Sequence, residues 1–249
     1  MFPLSDDNEP NHGPAYVTLA LIALNIVVFL LFQGGGSENE FTYAYSAIPR
    51  EITTGVDLTT PQPITIDGQE YAVPQAPGPD PIQLTLLTSM FMHGDILHIG
   101  GNMLFLWVFG DNVEHRVRRL KYLVFYLLAG VIASLAQVAV SANSVIPTLG
   151  ASGAISGVLG AYLVLFPGNR VLVFMLRFLV RVPAIVAIGL WALLQLFLGG
   201  SQLFSGVETG GGVAYMAHIG GFVFGLIAGL VFRTVFGVPA RPQGIRLAR

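Results

Sequence analysis

Apolar blocks of about membrane-spanning length recur along this chain, separated by polar stretches that gather nearly all of its charge. They run from about Ala15 to Gln33, Ile96 to Phe109, Tyr122 to Val140, Ala151 to Phe166, Pro183 to Leu198 and Val213 to Phe232. A helix crosses a hydrocarbon core with roughly 20 apolar residues, and six such blocks leave little chain to cover a water-facing surface. Composition agrees: 53% of the 249 residues are hydrophobic and 10% are charged, against roughly 25% charged in soluble domains. The expected fold class is an all-α membrane protein with six transmembrane helices. The second and fourth blocks are short and rich in Gly and Ser, the composition of helices buried among others.

Between the first and second blocks lies a polar stretch from about Gly34 to Pro81, rich in Pro, Gly and Thr. Within it, Thr65 to Tyr71 has the pattern of a small hairpin. Val171 to Val180 is apolar but only about ten residues long and is interrupted by Arg177. That is too short to cross, so an interfacial loop or amphipathic piece is expected there.

Charge sets the orientation. Of twelve Lys and Arg residues, Arg116, Arg118, Arg119 and Lys121 follow the second block, and Arg170, Arg177 and Arg181 follow the fourth. Arg233, Arg241, Arg246 and Arg249 follow the sixth, and only Arg50 lies elsewhere. Basic loops stay in the cytoplasm. Residues 1–14 are then a cytoplasmic tail, 15–233 a membrane domain with an outward loop at 34–92, and 234–249 a second cytoplasmic tail. The acidic, turn-rich start lacks the basic region of a cleaved signal peptide, so the first block is expected to remain as a helix. A net charge of −2 gives no basic field for nucleic acid. The absence of Cys removes disulfides and thiolate metal sites.

Strongly polar residues inside spanning segments are costly and mark function. His98 and Asn102 lie on helix two, Ser152 at the start of helix four and His218 near the start of helix six. These three helices all begin at the outer face, so the four residues share a depth that the Lys and Arg count did not presuppose. A hydroxyl becomes a nucleophile when a positioned His takes its proton. Ser152 sits in Gly150-Ala151-Ser152-Gly153 at a helix start, where its N–H is free for a developing oxyanion. Gly153 with Gly157, and Gly221 with Gly225, form two small-residue faces that would let helices four and six pack closely. His98 and Asn102, four residues apart, share one face. No Asp or Glu stands near His218, so the arrangement is a dyad. A lone membrane Ser or His is commonly a packing residue; it is the set at one depth that points to chemistry. His12, in the polar tail, and His115, at a charged helix end, are read as structural or solvated.

Three segments resemble the rhomboid family: His93 to Asn102, the Gly150 to Ala154 segment, and Ala217-His218-Ile219-Gly220-Gly221. The resemblance covers about Leu84 to Arg233. It implies a six-transmembrane-helix rhomboid-like bundle with a long outward-facing first loop, acting as an intramembrane serine endopeptidase. Ser152 would be the nucleophile and His218 the general base, with His98, Asn102 and the Ser152 N–H as oxyanion hole. His93, Gly150, Gly153 and Gly221 would support the site, and Glu114 would have a structural role at the cytoplasmic end. Two positions depart from the family pattern: Leu84-Thr85 stands where Trp-Arg is frequent, and Ser156 where an aromatic residue usually stacks on the histidine.

The implied partners are single-span membrane-protein substrates and the bilayer, with no cofactor or metal required. The implied location is the plasma (inner) membrane of a prokaryote, with the site opening outward. Three rival functions stand beside this one: an inactive relative that binds transmembrane helices as a scaffold, a bis-histidine haem or metal protein using His98 and His218, and a transporter. The scaffold type loses the Ser or His that this chain keeps. The second leaves Ser152 and Asn102 without a role. The third has no membrane-embedded acid or inverted repeat to support it.

Overall fold

The computed structural model describes residues 2–7, 13–66, 68–175, 177–205 and 213–239; His12, Arg241, Arg246 and Arg249 lie outside them. In chain order the elements are β1 (Phe2–Asp6), α1 (Tyr16–Val27, continued by a π-helical turn, Val28–Phe32), α2 (Glu40–Tyr45), α3 (Pro49–Thr54), β2 (Gln62–Ile66) and β3 (Gln69–Val73). Then come α4 (Thr85–Thr88), α5 (Ile96–Val117), α6 (Arg119–Val140), α7 (Ser152–Leu165), β4 (Arg170–Met175), β5 (Phe178–Pro183), α8 (Ala184–Ser205) and α9 (Tyr215–Thr234).

Each of the six expected apolar blocks is a helix. The second runs two turns past the expected Phe109, because the polar residues at its end are satisfied inside the protein. Glu114 is 1% exposed. Its carboxylate accepts from the Val17 N–H at 3.0 Å, the Thr18 N–H at 2.7 Å and the Thr18 hydroxyl at 2.9 Å. The first turn of a helix leaves N–H groups without intrahelical acceptors and carries partial positive charge. No side chain at the start of α1 caps it, so a carboxylate from α5 does so across the fold.

At the centre lies α7, buried along nearly its whole length and packed against α5, α6 and α9. Its small residues explain the approach. A Cβ on Gly221 would collide with the carbonyl oxygen of Gly153, and one on Gly225 with that of Gly157. On the opposite side, Cβ atoms at Gly153 and Gly157 would lie 2.6 Å from those of Ala133 and Ala129 on α6. Lipid gives helices no hydrophobic reason to associate, so close backbone contact supplies the attraction. The outer faces are apolar and unpaired: Leu31 is 76% and Phe197 74% exposed. By length and composition α6 and α9 each suffice to cross a membrane.

Two small sheets accompany the helices. The expected hairpin is present as β2 and β3, antiparallel, with Thr65 opposite Glu70. The Val171–Val180 segment is a strand hairpin, β4–β5, where an interfacial loop or amphipathic piece was expected. Its residues alternate, with Val171 and Val173 buried, and pairing satisfies backbone groups that so short a helix could not carry across. Part of the segment read as an N-terminal tail is also ordered: β1 joins β4 antiparallel, giving the order β1-β4-β5. Asp6 Oδ2 there accepts from Asn112 Nδ2 at 2.6 Å and from the Tyr162 hydroxyl. The Asp7 carboxylate pairs with Arg181 at 3.0 Å. The strand was illegible as such because its partners lie more than 160 residues away.

Two predictions concern this end of the molecule. Glu114→Ala leaves the Val17 and Thr18 N–H groups buried without acceptors, at a cost of roughly 3 kcal/mol; thermal unfolding in detergent should show a clear drop in midpoint. Burial pushes the Asp6 carboxyl from 3.8 up to about 7, so the folded chain holds a proton there. The stability this gives is complete below about pH 3.8 and is lost as pH rises through about 7. Asp6→Asn should flatten the dependence of the unfolding midpoint on pH across that window.

Candidate active site

The site begins with a helix cap. Asp95 Oδ1 accepts from the N–H groups of Leu97 at 2.8 Å and His98 at 2.9 Å, which starts α5 one residue later and sets His98 in its first turn. The Gly94 N–H donates to His98 Nδ1 at 3.2 Å. A ring nitrogen that accepts carries no hydrogen, so the His98 hydrogen is on Nε2. Asn102 lies one turn further along, and its Nδ2 is buried without a hydrogen-bond partner.

The turn into α7 supplies the hydroxyl. Gly150 has φ 127°, a conformation that side chains resist, and its N–H donates to the Ser89 carbonyl at 2.9 Å. A Cβ there would lie 2.9 Å from His98 Nε2 and 3.6 Å from Ser152 Oγ. Gly150 is thus required both by backbone conformation and by the closeness of His98 to Ser152. No side chain caps α7, so the Ser152 N–H has no acceptor within its helix.

The imidazole comes from α9. His218 Nε2 is 2.8 Å from Ser152 Oγ, and His218 Nδ1 is 2.8 Å from Gln195 Oε1 on α8. The Trp191 ring lies 6.1 Å from the imidazole, tilted by 38°, and the Tyr215 ring meets it edge-on at 6.4 Å. Ser156, one turn after Ser152, turns away: its hydroxyl donates to the Ser152 carbonyl at 2.6 Å.

Ser152, His218, His98 and Asn102 all line one cavity of about 910 Å³. Apolar walls from Phe105, Leu149, Ile155 and Trp191 continue it, and Ser141, Ser144 and Ile146 to Thr148 also line it. Gly153 and Gly221 lie behind it in the α7–α9 contact. His93 stands outside the cavity, its ring meeting that of His98 edge-on at 5.0 Å. Its backbone is clamped by Gln33, which accepts from the His93 N–H at 2.9 Å and donates to its carbonyl at 3.0 Å. Burial first, then His98, pushes the His93 imidazole down to about 3, so it stays neutral. Both nitrogens of His218 are thus within hydrogen-bond distance of a partner side chain. Among the described residues no three His, Asp or Glu side chains converge on a point.

This constellation can pass a proton from a hydroxyl to an imidazole beside two side-chain donors, in a cavity walled by apolar residues. The stretch that builds it, residues 83–235, matches the Rhomboid domain. The chain belongs to the rhomboid family. It is 30% identical over 151 residues to the mitochondrial rhomboid protein 1 of Saccharomyces cerevisiae, covering 59% of this chain and 41% of that protein. It is 28% identical over 219 residues to the rhomboid protease GluP of Bacillus subtilis, covering 87% and 35% respectively. It is 28% identical over 148 residues to the human mitochondrial presenilin-associated rhomboid-like protein, covering 57% and 36%. The chain therefore spans well under half the length of these relatives.

Sequence reasoning missed Gln195 and Trp191. Gln195 had a signal: it is an amide inside the apolar stretch Ala184–Gly200, the same anomaly that singled out Asn102. A single test probes the geometry. Gly150→Ala forces a Cβ against the His98 ring and strains φ, and displacement of this kind costs on the order of 100-fold in rate. Labelling of Ser152 by a fluorophosphonate should slow by about that factor in the folded variant.

Proposed function

We propose that this rhomboid-family protein is a serine endopeptidase that cuts peptide bonds in or near transmembrane helices. The observation that carries the reading is the 2.8 Å contact between Ser152 Oγ and His218 Nε2 in a largely apolar cavity. His218 takes the Ser152 proton as the oxygen attacks the substrate carbonyl. The resulting oxyanion is held by His98 Nε2–H, Asn102 Nδ2–H and the Ser152 N–H. His218 then gives its proton to the departing amine, and water, activated by the same imidazole, releases the acyl group from Ser152. The scheme calls on no metal or organic cofactor.

The proposed spans are α1, α5, α6, α7, α8 and α9, and the segment around 34–92 is the outward first loop. Basic residues after α5, α7 and α9 favour cytoplasmic termini, with residues 1–14 and 234–249 on that side and 15–233 as the membrane domain. The site then opens to the outer side, where water reaches it. The proposed substrates are single-span membrane proteins whose helices enter from the bilayer and unwind near the outer face at small or helix-breaking residues. The proposed location is the plasma (inner) membrane of a prokaryote.

The test is cleavage of a single-span substrate by purified protein in detergent. Wild type should cut, and folded Ser152→Ala and His218→Ala should lose about a thousand-fold or more. Asn102→Ala should lower kcat by about 100-fold with little change in KM. Wild type that cuts no substrate and leaves Ser152 unlabelled by a fluorophosphonate would sink the protease reading and favour a helix-binding scaffold.

A further inference from the structure

The dyad proposed above has no acid, yet its base is held. A neutral imidazole has one N–H and one lone pair. For His218 to act as base, the lone pair must be on Nε2, facing Ser152, and the hydrogen on Nδ1. That N–H lies inside an apolar bundle, where a donor without an acceptor is costly. Gln195 Oε1 stands 2.8 Å from it.

We infer that Gln195 is a positioning residue that selects the working tautomer of His218, so that the base is oriented from α8 by a neutral amide. This rests on the protease reading of Ser152 and His218. Three observations on α8 support it. Gln195 is 7% exposed, hence withdrawn from any solvent that might satisfy it. It lies in the apolar stretch Ala184–Gly200, where a polar side chain is expensive to keep. Trp191, one turn earlier on the same face, sets its ring 6.1 Å from the imidazole. Two residues of α8 thus bear on His218, whereas one turn beyond Ser152 α7 offers only Ser156, whose hydroxyl is turned to the Ser152 carbonyl.

The groups facing His218 from the surrounding elements are Ser152 from α7, His98 from α5, Trp191 and Gln195 from α8, and Tyr215 from its own helix. Among the described residues no carboxylate reaches it. Gln195 therefore orients the ring without supplying charge to the imidazolium formed in the reaction. A Glu at 195 would do both. The orientation of the base consequently depends on the seating of a helix that carries neither nucleophile nor base.

The experiment compares wild type, Gln195→Leu and Gln195→Glu in detergent, by kinetics and by 15N NMR of the His218 ring. Leu keeps volume and helix propensity but removes the acceptor. Gln195→Leu should lose about 10- to 100-fold in kcat, with KM changed by no more than about two-fold, and its ring should shift from the Nδ1–H form to a mixture. Gln195→Glu should restore most of kcat and move the acid limb of the pH profile upward, because a carboxylate favours imidazolium. An unchanged tautomer and unchanged kcat in Gln195→Leu would overturn the inference. So would a loss of kcat that leaves the tautomer as in wild type and that Glu does not repair, since that is structural damage. Absence of Ser152 labelling in wild type sinks the dyad itself, whereas the tautomer ratio reads the Gln195 hydrogen bond directly, so the two failures are told apart.

Discussion

Backbone contact between α7 and α9 is the interaction on which the rest of the structure depends. Gly153 and Gly157 meet Gly221 and Gly225 so closely that any Cβ on the latter pair would collide with a carbonyl oxygen. Ser152 precedes the first of these glycines by one residue, and His218 precedes Gly221 by three. The distance from hydroxyl to imidazole is therefore set by how near two helix backbones can come. Between larger residues helices settle at 8–10 Å, and side chains as short as Ser would be drawn apart. The small residues that α6 presents at Ala129 and Ala133 serve the same purpose, holding α7 from its other side.

An apolar bundle makes its buried polar groups consequential, because an unpaired one is costly away from water. Most here are committed to fixing the frame. Glu114 caps α1 from α5, Gln33 clamps the backbone at His93, and Asp6 ties β1 to α5 and α7. In the cavity the pattern changes. Asn102 Nδ2 is buried and unpaired, and the Ser152 N–H has no helical acceptor. Donors left open beside a hydrogen-bonded Ser–His pair are what a reaction that builds negative charge on oxygen requires.

The departure at Ser156 shows how such a site is redistributed. With no aromatic ring on α7 one turn after the serine, the imidazole is steadied by Trp191 and Gln195 of α8 and by Tyr215 of α9. Local sequence around Ser152 would suggest a loosely held base. The fold brings in support from about 40 residues downstream.

Periodicity and charge made the helices legible, and four polar residues, which the fold brings to one cavity, made the candidate site legible, since each is an expensive anomaly in an apolar segment. The glycine faces on α7 and α9 were readable for the same reason: small-residue spacing has one main use between membrane helices. What stayed hidden depends on long-range partners. The strand β1 exists because β4 pairs with it, the two extra turns of α5 exist because α1 needs a cap, and Gln195 becomes part of the site only when α8 packs beside α9. By itself the sequence determined the membrane class, the helical segments and the polar side chains of the candidate site, because hydropathy and side-chain chemistry are properties of single residues and their near neighbours. Only the tertiary structure decided which nitrogen of His218 faces Ser152, what holds it there and where the first strand goes, because hydrogen bonds act over about 3 Å between residues that the chain itself keeps far apart.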